Sequence, residues 1–169
     1  MSTTGFLSPS LCEPGTLASP LARVLAGADP ELVQDLSAGG KVEIRGNVAQ
    51  IDPALGEELV RLSLRRAFLL TETPLDAVER LRAQGVLAYD VTGGYAGFAL
   101  SGEQLMRRMT DLDLERLPAA GPFSRVAAIV LRDEGERFRV YVPQELGHDV
   151  VAAVLDTARG LTPRAEERA

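Results

Sequence analysis

The stretch DLSAGGKVEIRG at residues 35–46 returns, one residue longer, as DVTGGYAGFALSG at residues 90–102. Each copy opens on an aspartate, Asp35 or Asp90, and reaches a run of alternating residues through a glycine-rich turn. Aspartate and glycine favour turns, because the carboxylate accepts nearby backbone amides and glycine adopts conformations closed to other residues. The stretch therefore predicts two turn-and-strand corners of the same design.

A second similarity follows each copy. The apolar residues 67–70 precede Pro74 and an apolar-periodic run that ends at Gly85, and residues 140–142 precede Pro143 and another such run. Units this small rarely bury their apolar faces alone, whereas two that pack together do. We therefore predict an α+β fold of two interlocked, pseudo-symmetric β-α-β units, with mixed, mostly antiparallel sheets flanked by helices.

The length of 169 residues and the 46% hydrophobic content are those of one globular domain with a core. We expect this domain to occupy residues 18–161. Residues 1–17 and 162–169 lack apolar periodicity, so we expect a flexible leader and a flexible tail.

The net charge of −6 argues against binding to nucleic acid or to an anionic membrane surface, which requires a basic face. Arg61, Arg65 and Arg66 form the one basic cluster, for which a solvated edge is the simplest interpretation. No run reaches the roughly 20 apolar residues that span a bilayer, and residues 1–20 do not resemble a secretory signal. We expect a cytoplasmic protein.

Cys12 is the only cysteine and His148 the only histidine, which excludes an internal disulfide and argues against zinc sites and histidine-based triads. Asp111, Asp113 and Glu115 alternate with leucines but lack the glycine and distal glutamate of a calcium loop. We predict no metal site and no catalytic residue.

Alternating residues predict most of the strands. Residues 41–45 read KVEIR, so Val42 and Ile44 are expected to point inward and the charged side chains into solvent. Residues 86–91 and 95–100 predict two strands joined by a turn in which Gly93 and Gly94 supply positive φ angles. Residues 126–131 and 137–142 predict a hairpin.

Helical periodicity, proline starts and a capping-box pattern predict the helices. One predicted helix begins at Thr73-Pro74, buries Leu75, Val78 and Leu81, and ends in a left-handed turn at Gly85. The predicted helical segments are residues 21–25, 52–59, 74–85, 102–109 and 144–159. The last is expected to bury Leu146, and a loop is predicted from residue 111 to Gly121 and Pro122.

A family resemblance rests on the order of several short motifs. VLAYDVT at residues 86–92, SG at 101–102 and DLDL at 111–114 resemble the folate-binding domain of the glycine-cleavage aminomethyltransferase superfamily. Adding VEIRG at residues 42–46 and FRVYVP at 138–143, the order resembles the gamma subunit of heterotetrameric sarcosine oxidase over roughly residues 19–160.

The resemblance implies two interlocked β-α-β units and a place in one-carbon metabolism. In that enzyme class a flavin demethylates an N-methyl amino acid and tetrahydrofolate takes the one-carbon unit. The gamma chain carries neither flavin nor catalytic residues and supports the large subunit's folate-binding half. Residues 132–136 read RDEGE and do not reproduce the family's catalytic Gly-x-x-Asp-Asp turn, so catalysis does not carry over.

Two function hypotheses follow. The first is a non-catalytic subunit that binds a larger flavin- and folate-dependent partner, with a homo-oligomer as the other possible assembly and no tightly bound cofactor. The second is a stand-alone tetrahydrofolate-binding or aminomethyltransferase-like protein, in which Asp90, Tyr95 and Arg125 contact the folate. For Asp90 the alternative is structural, because an aspartate at such a turn accepts backbone amides and Asp35 holds the equivalent place.

Overall fold

A computed structural model describes residues 18–161, so the expected leader and tail, with Cys12, lie outside the described part. The described residues form nine strands and three α-helices: β1 (Val33–Asp35), β2 (Gly40–Arg45), β3 (Glu58–Ser63), β4 (Arg66–Thr71), α1 (Pro74–Ala83), β5 (Leu87–Asp90), β6 (Tyr95–Ser101), α2 (Glu103–Met109), β7 (Ala119–Phe123), β8 (Val126–Arg132), β9 (Arg137–Pro143) and α3 (Gln144–Leu161).

The strands form two antiparallel sheets, and each of the two units contributes its first strand to the sheet of the other. The five-stranded sheet has the order β1-β6-β9-β8-β7 and the four-stranded sheet the order β3-β4-β2-β5. Strand β1 pairs with β6, placing Asp35 opposite Phe98, and β5 pairs with β2, placing Asp90 opposite Val42. Each half therefore lends one strand to the other's sheet, which confirms the predicted α+β fold of interlocked units.

The core consists of three clusters of buried apolar side chains. Helix α3 covers one face of the five-stranded sheet, and α1 covers one face of the four-stranded sheet. The remaining faces pack against each other through Val60 and Phe68 on one side and Ile129, Leu131 and Tyr141 on the other. Two sheets that share apolar contacts in this way leave their helices on the outside.

Most local predictions agree with the structure. Helices α1, α2 and α3 lie at the predicted segments, and the predicted hairpin is β8 and β9. Gly85 has a φ of 78°, so α1 is followed by the predicted left-handed residue. Val42 and Ile44 are fully buried, as expected for the inward side of β2.

The predicted helix at residues 52–59 is wrong. Residues 51–57 form no helix, and strand β3 begins at Glu58. Leu55, within this segment, is fully exposed. The segment is instead stabilised locally, because the Glu57 carboxylate accepts a hydrogen bond from the Ala54 amide at 2.7 Å.

Three further expectations are corrected. Residues 21–25 form turns rather than a helix. The predicted loop that contains Gly121 and Pro122 is the edge strand β7, where proline is tolerated because one side of the strand lacks a partner. Gly93 and Gly94 form a short 3₁₀ turn without positive φ angles.

Side-chain burial also differs from the pattern at three positions. Lys41 was expected on a wet face and is fully buried, whereas Leu75 is 67% exposed and Leu146 is 37% exposed. The Thr73 side chain makes no capping hydrogen bond, so α1 begins at its proline without the predicted capping box.

Candidate functional site

The two corner aspartates stabilise their own turns. Asp35 Oδ1 accepts a hydrogen bond from the Ser37 amide at 2.8 Å, and Asp90 Oδ1 accepts one from the Thr92 amide at 2.9 Å. These are the local side-chain to backbone bonds that favour tight turns. This geometry is the one that the structural alternative for the two aspartates requires.

The hydroxyl that follows each aspartate reaches the other half of the fold. Ser37 Oγ accepts a hydrogen bond from the Gly97 amide at 3.2 Å and donates one to the Gly97 carbonyl at 3.3 Å. Thr92 Oγ1 accepts one from the Lys41 amide at 3.0 Å. The corners thus join β1 to β6 and β5 to β2 where the two sheets meet.

Lys41 is the only lysine of the chain, and its side chain is fully buried. Its ammonium donates to the carbonyls of Ser37 at 2.8 Å and Gly39 at 2.6 Å, and it lies 5.9 Å from the centre of the Tyr141 ring. Burial lowers the pKa of Lys41, although the Asp35 and Asp90 carboxylates counteract it. The alternating pattern of residues 41–45 did not predict that Lys41 is buried. The one feature of the sequence that singles it out is that it is the only lysine.

Tyr95 belongs to an aromatic cluster between the sheets. Its ring meets Phe68 edge-on at 5.3 Å between ring centres, and Phe68 lies 5.6 Å from Tyr141. Such tilted and edge-on pairs stabilise a core beyond the area they bury. Tyr95 therefore contributes to the packing between the sheets at the first residue of β6.

Arg125 occupies the turn between β7 and β8 with a φ of 68°. Its exposed side chain makes no hydrogen bond or ion pair within residues 18–161, and it lines a depression of about 340 Å³ with Arg108, Asp111 and Thr157. Asp90 lines a different depression, beside Pro74. The structure therefore places Asp90 and Arg125 apart.

Arg139 joins the two sheets and was not predicted. From β9 it donates to both oxygens of Glu58 on β3, at 2.7 and 2.9 Å, and to Asp133 at 2.9 Å. Burial by itself lowers the pKa of Arg139, but the bonds to Glu58 and Asp133 outweigh it and raise this pKa. Asp133, in the turn between β8 and β9, is thus engaged in an ion pair.

A basic depression lies at the far end of the four-stranded sheet. Arg45, Arg65 and Arg66 line it together with the exposed side chain of Leu64. The Glu43 carboxylate binds Arg45 at 3.1 Å and Arg66 at 2.9 Å. The predicted basic cluster is therefore only partly formed. Arg65 and Arg66 lie together and are joined by Arg45, whereas the Arg61 guanidinium donates to the backbone carbonyls of Val48 and Ile51.

Two further properties describe residues 18–161. No three His, Cys, Asp or Glu side chains within this range lie close enough together to hold a metal ion. None of the helices in this range combines the length and apolar character needed to cross a bilayer.

The described α+β fold is similar to two solved structures of the kinds that the motif order predicted. It is similar to a chain of the heterotetrameric sarcosine oxidase from Corynebacterium sp. U-96, solved in complex with pyrrole 2-carboxylate, with a TM-score of 0.75 at 10% identity over 88% of this chain and 97% of that chain.

The fold is also similar to the glycine cleavage system aminomethyltransferase T from Bartonella henselae, with a TM-score of 0.55 at 16% identity. That match covers 75% of this chain and 46% of the aminomethyltransferase, so this chain corresponds to less than half of it. By sequence, no family model and no curated protein matches the chain. The likeness is therefore one of fold.

Proposed function

We propose that this chain is a non-catalytic subunit of the sarcosine oxidase gamma type, which supports a larger flavin- and folate-dependent partner in the metabolism of N-methyl amino acids. The observation that carries the proposal is the extent of the structural match. It spans 97% of a chain from a heterotetrameric enzyme, but only 46% of the aminomethyltransferase.

The use of the acidic side chains supports a structural role. A general acid or base must reach its substrate, with a pKa suited to proton transfer. Asp35 and Asp90 are bonded within their own turns, and Asp133 is bonded to Arg139. These carboxylates stabilise corners and the junction of the sheets, as a supporting subunit requires.

The proposal is tested by co-expressing the full chain with each flavoprotein subunit encoded beside its gene. We expect one complex that co-elutes in sizing chromatography and carries the absorbance of bound flavin. Elution of the chain apart from every such flavoprotein would contradict the proposal. A stable assembly of this chain alone would favour the homo-oligomer instead.

The depression at Arg125 favours a second candidate, a stand-alone tetrahydrofolate-binding protein. Two guanidinium groups, from Arg108 and Arg125, line it with one carboxylate, from Asp111. Arginine forms strong charge-assisted bonds with carboxylates such as those of the glutamate tail of folate. Asp90 and Tyr95, the other proposed folate contacts, do not line this depression and would have to contact folate outside it.

Calorimetric titration of the isolated chain with tetrahydrofolate distinguishes the candidates. Micromolar binding that is lost in Arg125→Gln, but kept in the control Arg116→Gln, would favour the folate-binding protein. An absence of binding heat would favour the supporting subunit. Arg116 suits the control because it is 86% exposed and pairs only with Asp113 among the described residues.

A further inference from the structure

The five-stranded sheet covers only part of the inner face of the four-stranded sheet. Leu87, Arg45 and Arg66 are directly opposite one another on β5, β2 and β4, so their side chains share a face. Phe68 lies on the same face of β4 and is buried between the sheets. Leu87, by contrast, is 58% exposed, so the face is uncovered at this end.

We name the uncovered surface the open corner. It consists of side chains from β2, β4, β5 and the turn between β3 and β4: Arg45, Leu64, Arg65, Arg66, Leu87 and Tyr89. The apolar members are prominent, since Leu64 is 87% and Tyr89 is 45% exposed. Tyrosine and arginine are enriched among the residues that dominate protein interfaces.

The open corner is basic on a chain whose net charge is −6. Arg65 makes no side-chain bond within residues 18–161, and Glu43 holds Arg45 and Arg66 from one side with a single carboxylate. Two guanidinium groups held by one carboxylate are already ordered, which lowers the entropic cost of binding a further anion. The surface is therefore prepared for acidic groups.

The edge of β5 is closed to strand addition. Arg82 Nε donates to the Ala88 carbonyl at 3.0 Å, and its guanidinium lies 5.8 Å from the centre of the Tyr89 ring. An arginine bonded to the outer carbonyl removes an acceptor that an added strand would need. A partner therefore meets the side chains of the open corner and not the backbone of β5.

We propose that the open corner is the docking surface for a protein partner that presents an acidic segment with apolar side chains between its carboxylates. This inference rests on the proposed function for the existence of a partner and adds where and by what chemistry it binds. The carboxylates would bind Arg45, Arg65 and Arg66, and the apolar side chains would cover Leu64, Leu87 and Tyr89.

Other occupants fit less well. A small anion would satisfy the arginines but leave the leucines and the tyrosine in water. Nucleic acid would be repelled by the acidic remainder of the chain. A second copy would place a basic corner on an identical basic corner in a symmetric dimer, where like charges repel.

The first test maps the contact in the organism that encodes the chain. The full chain carries the photo-reactive residue benzoylphenylalanine in place of Leu64, of Leu87 or, as the control, of Leu75. Leu75 is also well exposed, but it lies on α1, across the four-stranded sheet. We expect cross-links from the first two positions to one Asp- and Glu-rich peptide of a single protein, and none to that peptide from the control.

The second test measures affinity with the purified cross-linked protein. Arg45→Glu combined with Arg65→Glu should weaken binding by about tenfold or more, the scale of loss seen at interface hot spots. The control Arg116→Glu should leave binding unchanged. Added salt should weaken binding of the wild type far more than that of the double variant.

The outcomes separate the two proposals. A cross-linked partner without flavin would contradict the proposed function and leave the docking surface supported. A flavoprotein complex that tolerates the double variant, or that cross-links only from Leu75, would overturn the docking surface and leave the proposed function intact. The absence of cross-links from Leu64 and Leu87, or cross-links to a second copy of this chain, would also overturn it.

Discussion

Lys41 and Gly97 occupy equivalent positions in the two halves of the fold. The Gly97 carbonyl accepts a hydrogen bond from the Leu36 amide at 2.8 Å, and the Lys41 carbonyl accepts one from the Val91 amide at 2.9 Å. Leu36 and Val91 each follow a corner aspartate, so each corner is bonded to the strand of the other half. The two positions nevertheless differ in their side chains: Lys41 carries a buried ammonium, whereas Gly97 has only a hydrogen atom.

Replacing Gly97 with alanine should destabilise the protein by about 1–3 kcal/mol, the usual effect of overpacking a core. An added Cβ would lie 2.8 and 2.9 Å from two carbons of the Tyr141 ring and 3.2 Å from the Leu36 carbonyl. In chemical denaturation, Gly97→Ala with Tyr141→Leu should lose less stability than the sum of the single changes. Gly93→Ala, with no atom near the added Cβ, serves as the control; equal losses at both glycines would contradict the argument.

Lys41 should make stability rise with alkaline pH. Because burial lowers its folded pKa below the ordinary 10.5, the unfolded chain binds more protons between these two values, and stability increases with pH across that window. The free energy of unfolding of the wild type, minus that of Lys41→Met, should therefore increase towards pH 10.5.

The contribution of Tyr141 to stability has the opposite pH dependence. Because burial raises the pKa of Tyr141 above the ordinary 10.0, this contribution is lost only as the pH rises above that value. Comparison below pH 10.0 isolates Lys41. As Lys41 is the only lysine, NMR titration of the chain labelled with ¹³C-lysine reports its pKa directly. An unshifted titration would contradict the prediction.

Asp35→Ala and Asp90→Ala should each cost about 1 kcal/mol, because each removes one hydrogen bond that holds a turn. Asp90→Asn should cost less, since the amide oxygen still accepts from the Thr92 amide. The measurement is the midpoint of chemical unfolding for the four proteins, wild type included. A wild-type-like stability of Asp90→Ala would mean that Asp90 is not needed for the corner and would favour a ligand role.

Arg139→Lys should destabilise the packing of the two sheets. Arginine binds both oxygens of Glu58 and also Asp133, whereas the single ammonium of lysine cannot reproduce this two-sided geometry. Since Glu58 is about half exposed, we expect a loss of about 1 kcal/mol. Arg137→Lys, on the same strand, is the control, and a loss of equal size there would point to a general effect on β9.

Local patterns were sufficient where the residues on one element decide its structure. The proline start and left-handed Gly85 predict α1, and the alternating residues around Val130 and Val140 predict the β8–β9 hairpin. The prediction of a helix failed at residues 52–59, because the Asp52-Pro53 pair favours a helix start only locally and a short helix needs tertiary packing to be stable. Leu55 remains fully exposed.

The candidate site was predictable only in part. Asp90 was identified at its turn, and its structural alternative followed from comparison with Asp35, because both depend on local hydrogen bonds. The contacts of Arg139 with Glu58, 81 residues apart in the chain, and of Glu43 with Arg66 depend on the pairing and stacking of distant strands. Whether folate contacts Asp90, Tyr95 or Arg125 stays a prediction.

The sequence by itself determined the fold class and the two corners, because turn chemistry and side-chain periodicity act over a few neighbouring residues. The tertiary structure decided which side chains are covered. Lys41 and Arg45 lie on the same side of one strand, yet Lys41 is fully buried and Arg45 is largely exposed. The difference arises because the second sheet covers one end of this face and leaves the other in water.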